Sequence, residues 1–301
     1  MLEWLDSQLI CESASNGLGS MRGSFVLSVD VDGWSSLLRF YSVKHDPVAA
    51  DAQVDIGRGI MRLLRLFRRK DTSATFFVCG EMARKHKREL KAICEEGHEI
   101  ACHGLTHDKE ECLLPFKEQK MRIKEASRIL QVETGVKPRG FRAPCLRANG
   151  ETVKALEELE YVYDSSVLPS LVPGYYGYLT TFSTPYHPSV SSLVRKGNSR
   201  ILELPVSVNP VFRVPLSASW MRNLGSQWVK MGIKWNFRLG NPVVFYVHPR
   251  DVMDLPRVGD VPWHVYRNVG EKSIDMLDEV IDCAKRHGEI IRAIDLAENS
   301  R

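Results

Sequence analysis

Two histidines stand four residues apart in Ala101-Cys102-His103-Gly104-Leu105-Thr106-His107-Asp108, directly after an apolar run. Well upstream, another apolar run ends in two carboxylates, Ser28-Val29-Asp30-Val31-Asp32-Gly33-Trp34. Two imidazoles and one carboxylate form a three-ligand set that holds a divalent ion and leaves an open position for water. Zinc is the first expectation for such donors, with cobalt, nickel or iron also compatible. The second carboxylate is then free to act as a base. His103 and His107, at i and i+4, are expected on one face of a helical turn. Asp30 and Asp32, two apart, share a face of a continuing strand. An Asp-Gly turn explains Asp32-Gly33 but leaves Asp30, inside an apolar run, without a reason.

Such residues must be held by rigid elements. Strands are predicted at 25–30, 74–79, 98–103, 140–142, 161–164, 201–206, 242–248 and 290–294. Helices are predicted at 55–69, 81–96, 115–134, 150–159, 221–239 and 274–286. Strands alternating with helices predict an α/β fold with a parallel sheet, open or closed into a barrel. Asp30, Asp32, His103, Arg142, Asp164 and His248 all fall at carboxyl ends of these strands. Ligands bind at that rim in α/β sheets and barrels. Residues 168–215, rich in Pro, Gly, Ser and Tyr, read as a long surface excursion. The stripe Met221, Leu224, Trp228, Met231, Trp235 and Leu239 has core-helix spacing. It predicts an outer helix packed on the sheet, so membrane-surface association is disfavoured.

Bulk properties narrow the classes. At 301 residues the chain can bury a barrel-sized core, and no apolar stretch approaches the roughly 18 residues that span a bilayer. A net charge of +4 is too small to imply nucleic-acid binding. Seven cysteines with no CxxC pattern suit a reducing compartment better than a disulfide scaffold. Residues 1–20 show no basic region followed by a long apolar core, so they read as an extension and the expected location is cytoplasmic. Residues 21–298 read as one catalytic domain.

The motifs together resemble the polysaccharide deacetylase family, the NodB-homology or carbohydrate esterase 4 group. Ser28-Val29-Asp30-Val31-Asp32-Gly33 is similar to its first motif, with one extra residue between the carboxylates. His103-Gly104-Leu105-Thr106-His107 is similar to its paired-histidine motif, and Arg142-Ala143-Pro144 to its Arg-x-Pro motif, with Cys145 where an aromatic is frequent. Tyr163-Asp164-Ser165-Ser166 resembles a fourth motif, and Phe245-Tyr246-Val247-His248-Pro249 the late histidine.

The resemblance implies a distorted (β/α) barrel of about seven strands. It implies Asp32, His103 and His107 as metal ligands, Asp30 as base, Arg142 as its partner and His248 as the acid for the leaving amine. Pro144, Cys145 and Asp164 fall on the substrate or oxyanion side, with the Cys145 backbone N–H at the oxyanion. Trp34, Tyr175, Tyr176 and Tyr178 are candidate surfaces for stacking on a sugar. The expected reaction removes acetyl from an N-acetylated sugar or glycan precursor. Two rivals remain. One is a deformylase or allantoinase-like amidohydrolase. The other is a non-catalytic glycan- or lipid-carrier-binding protein on the same fold.

Overall fold

The computed structural model describes residues 23–171 and 182–300. The expected extension at 1–20, with Tyr175, Tyr176 and Tyr178, lies outside the described residues. The chain opens with β1 (Gly23–Val31), followed by α1 (Trp34–Phe40), α2 (Pro47–Gln53) and α3 (Ile56–Arg69). Next come β2 (Thr75–Val78), α4 (Gly80–Lys85), α5 (Lys87–Glu95), β3 (Glu99–Cys102), α6 (Phe116–Thr134), β4 (Gly140–Phe141), α7 (Gly150–Glu158) and β5 (Tyr163–Asp164). A hairpin of β6 (Pro188–Ser189) and β7 (Ser192–Lys196) leads into β8 (Leu202–Glu203). The remainder is α8 (Ala218–Leu224), α9 (Ser226–Arg238), β9 (Val243–Val247), α10 (Glu271–His287), β10 (Gly288–Ile291) and α11 (Ala293–Asn299).

Seven strands run parallel in the order β10-β1-β2-β3-β4-β5-β8, and β9 also pairs with β1. Beyond β8 the Ser207 N–H donates to the Val244 carbonyl at 2.9 Å, which brings the far edge of the sheet round to β9. The result is the expected distorted (β/α) barrel. Phe25 to Val31 are all buried, as for a parallel strand covered on both faces. Ser28 and Asp30 are the polar exceptions inside that run.

The helices form where the sequence supplies caps. The Asp55 carboxylate accepts the Arg58 N–H at 3.1 Å and starts α3, and Asn149 and Thr152 form a capping box on α7. Gly135, at φ +76°, ends α6. The predicted helix 221–239 is two helices, because Gly225 at φ +93° breaks it. The segment 168–215 differs from a surface excursion over part of its length: residues 201–209 are buried and carry β8 into the main sheet. The basic face of α3 is not simply solvated. Arg69 meets Asp278 at 2.6 Å and Lys70 meets Asp278 and Asp282 at 2.6 and 2.8 Å, joining α3 to α10. No helix among the described residues is long and apolar enough to cross a membrane.

One close approach ties this scaffold to the rim. A Cβ added at Gly59 of α3 would lie 2.5 Å from the Pro249 carbonyl oxygen, in the turn that follows β9. Gly59→Ala therefore pushes backbone against backbone. It is expected to destabilise the protein by about 1–3 kcal/mol in thermal or denaturant unfolding. Gly259→Ala, where a Cβ meets nothing within 4 Å, serves as the neutral control.

Candidate active site

The carboxyl ends of β1, β3 and β9 surround a cleft of about 120 Å³. Asp30, Asp32, His103, His107, Cys145 and His248 all line it. Arg142 lies beneath, fully buried, and organises the floor. Its Nη1 donates to Asp30 Oδ1 at 2.6 Å and to Ser28 Oγ at 2.9 Å. Its Nε and Nη2 donate to the carbonyl and hydroxyl of Ser165 at 3.1 and 2.9 Å. The contact with Asp30 is through one nitrogen only. Phe77 closes the other side, its ring centroid 4.0 Å from the guanidinium carbon. Burial alone would raise the Asp30 pKa, but the guanidinium, helped by His103 and His248, holds the carboxyl below its usual value.

His103 follows β3. Its Nδ1 donates to the Arg142 carbonyl at 2.8 Å, which leaves Nε2 as the free lone pair. His107 is not on a helical turn with it. The intervening chain is a loop with Gly104 at φ +75° and His107 itself at φ +52°. That loop still brings the rings together, with centroids 4.9 Å apart. Burial lowers both imidazoles, His107 to about 3, so each is neutral and can offer a lone pair.

Asp32 is buried, and its Oδ2 sits 3.5 Å from His107 Nε2. Its Oδ1 accepts from Arg250 Nη1. Burial would raise Asp32, but the Arg250 guanidinium holds it at about 2. Across the cleft, His248 Nδ1 meets Asp251 Oδ2 at 3.2 Å, and Asp251 Oδ1 meets Arg222 Nη2 at 3.0 Å. This fixes the His248 ring with Nε2 outward.

Three further expected residues do not face the cleft. Trp34 is fully buried in the core and offers no sugar-stacking surface. Pro144 is buried away from the cleft and packs on Gly104. Asp164 is fully buried and absent from the cleft lining, because alternation along β5 puts it on the sheet face opposite Tyr163, which packs against Phe77. There its Oδ1 accepts from Ser166 Oγ at 2.5 Å, and Ser166 Oγ accepts from the Ala143 N–H at 2.8 Å. Cys145 does line the cleft. It stands in the left-handed region at φ +55°, with Leu146 beside it at φ +57°, a costly backbone found where a site must be shaped. Burial pushes its thiol up to about 12, so it stays neutral.

Residues 54–163 match the polysaccharide deacetylase family model, and residues 165–275 match a domain of unknown function (DUF3473). A peptidoglycan deacetylase of Helicobacter pylori is 23% identical over 282 residues, covering 86% of this chain and 95% of that one. Over residues 54–163 the chain is similar to the polysaccharide deacetylase family. The matched segment and this relative indicate a hydrolase of carbon–nitrogen bonds. Two solved structures share the fold. A Mycobacterium smegmatis protein assigned as a polysaccharide deacetylase has a TM-score of 0.65 at 23% identity, covering 95% of this chain and 92% of its own. An allantoinase has a TM-score of 0.65 at 17% identity, covering 96% and 95%.

The family-matched segment holds His103, His107 and Arg142, whereas Asp30 and Asp32 precede it and His248 falls in the second matched segment. Among the described residues no three His, Cys, Asp or Glu side chains already close on one point as an ion would require. The donor set still suits a divalent ion. Asp32 Oδ2 is buried with no hydrogen-bond partner among the described residues, two neutral imidazoles stand beside it, and His103 is oriented by a carbonyl.

Sequence reasoning missed Ser28, Ser165, Arg222, Arg250 and Glu203. Arg250 directly follows His248-Pro249, and that adjacency was the only signal for it. Glu203 had none. In the parallel register it stands opposite Asp164, and both carboxyls are fully buried. Asp164 Oδ2 and Glu203 Oε2 are buried and have no hydrogen-bond partner among the described residues. A single proton held between the two carboxyls would satisfy both. Burial raises both carboxyls, and the neighbouring Asp164 charge raises Glu203 further. Because the folded pKa values are raised, this contribution to stability is complete below the ordinary carboxylate range, roughly pH 4, and is lost as pH rises through the folded values. Glu203→Gln supplies the donor without a proton. It is expected to flatten the decline of melting temperature from about pH 4 towards pH 8. An unchanged slope would mean that the pair holds no shared proton.

Proposed function

We propose that the chain is a metal-dependent deacetylase that removes acetyl from an N-acetylated sugar of a glycan or glycan precursor, releasing acetate and a free amine. One observation carries this reading. Asp30 and His248 face one cleft, each set by its own buried partner, and Asp32, His103 and His107 line the same cleft. The peptidoglycan deacetylase likeness along most of the chain supports an acetylated glycan as the substrate class.

Asp32, His103 and His107 would hold the ion, zinc by the donor set. When bound, the metal supplies Lewis acidity towards the amide carbonyl and the attacking water. The protein's own groups do the rest. Asp30, with Oδ1 occupied by Arg142, takes the water proton on its remaining oxygen. His248, donating Nδ1–H to Asp251, presents Nε2 to the leaving nitrogen and delivers the proton that lets it depart as an amine. The Cys145 backbone N–H would steady the developing oxyanion, a role supported by Cys145 lining the cleft. Leu37, Phe40 and Tyr41 of α1 and the following turn wall the cleft with apolar surface, the lining a sugar ring and its acetyl group require.

Acetate release from an oligomer of N-acetylglucosamine is the direct assay. Asp30→Asn is expected to lower kcat by roughly 10²-fold or more while leaving zinc binding intact. His248→Ala is expected to fall by a similar factor. Chelation should abolish turnover and added zinc should restore it. Full activity in the chelated protein, or in Asp30→Asn, would sink the mechanism. Formate or ammonia release in place of acetate would redirect it to another amide.

A further inference from the structure

Three buried carboxylates line the cleft, and each has a buried arginine of its own. Arg142 serves Asp30, Arg222 serves Asp251 and Arg250 serves Asp32. The third pair stands apart because Asp32 is a proposed metal ligand, whereas the other two carboxylates are a base and the support of His248. The position of Arg250 is not accidental to a surface loop. It lies on the short helical turn Pro249–Val252 that follows β9, and that turn is pressed against Gly59 of α3. Its side chain is only 10% exposed and lines the cleft.

With its arginine, each carboxylate is neutralised before any metal arrives: three cationic and three anionic side chains pair one to one. A buried carboxylate left without a partner is strongly destabilising. Arg250 removes that burden from the metal-free fold. It has an opposite effect on loading. A guanidinium bonded to Asp32 Oδ1 withdraws charge from the ligand and repels a dication at the neighbouring Oδ2, in an interior where screening is weak.

We propose that Arg250 is a positioning residue for Asp32 that stands in for the metal's charge in the metal-free protein and weakens metal binding, so that the ion is exchangeable and the fold does not depend on it. This rests on the metal assignment made above.

The test uses the full chain, freed of metal, and measures zinc affinity by competition with a chromophoric chelator, alongside melting temperature with and without zinc. Arg250→Gln keeps an N–H donor for Asp32 and removes the charge. It is expected to bind zinc roughly tenfold tighter or more than the native protein, and to melt lower without zinc and recover with it. Arg250→Lys keeps the charge and is expected to stay within about threefold of native affinity. The native protein is expected to melt at nearly the same temperature in chelator as in limiting zinc. If the native protein binds zinc and Arg250→Gln binds equally or more weakly, the proposal is overturned while the metal assignment stands. If Arg250→Lys tightens as much as Arg250→Gln, charge is not the cause and the proposal fails. Absence of zinc binding in native and variant alike would remove the metal assignment, and this inference with it.

Discussion

A guanidinium with no exposure to water has to find every partner inside the protein, and the site is built around how Arg142 does so. Its donors reach Ser28 and Asp30 on β1 and the backbone and hydroxyl of Ser165 just past β5. Its own carbonyl, at the end of β4, orients His103. One side chain thereby ties three strand ends and two of the cleft's motifs into a single geometry. Losing a member of such a buried pair costs about 3–5 kcal/mol, so Asp30 cannot drift from its partner without the barrel giving way. The hydroxyls around it are themselves held: Ser28 Oγ donates to the Phe245 carbonyl at 2.9 Å and Ser165 Oγ to the Leu204 carbonyl at 2.7 Å. The network therefore spans the barrel from β9 to the segment after β8.

Rigidity of this kind suits amide hydrolysis. A stable bond is attacked only when water, carbonyl and leaving nitrogen are held in fixed relation, and preorganised charge contributes most when it needs no rearrangement. The left-handed pair Cys145–Leu146 and the left-handed His107 show where the backbone accepts strain to complete that arrangement. Both lie on loops just past strand ends, supported by the regular elements below.

Strand ends could be read directly from the sequence, and they located the rim. Apolar runs marked β1, β2, β3 and β9, and the chemically capable residues that followed them do gather there. What the pattern could not show was direction. Asp164 and Trp34 sit at or just past strand ends as Asp30 does, yet one is absent from the cleft lining and the other points into the core. Side chains alternate across a strand, and the two-residue β5 is too short to reveal its own phase. The spacing of His103 and His107 matched a helix, but the glycine between them lets a loop achieve the same meeting of rings. Arg250 was invisible for a different reason. A lone arginine beside a histidine carries no periodicity, and its significance arises only when the turn after β9 folds back over β1.

The facing of the buried Asp164 and Glu203 across the β5–β8 register has a consequence for assembly of the barrel. Here β4, β5 and β8 are two residues long, so neither backbone ladders nor apolar alternation can align them strongly. Sliding β8 by one position would separate the two carboxyls and turn Glu203 to the opposite face, leaving two buried acids with no way to satisfy each other. The pair thus works as a key that fits only one alignment. It lets the thinnest side of the sheet close in a single way, and it aligns the Ser165–Ser166 corner on which Arg142 depends.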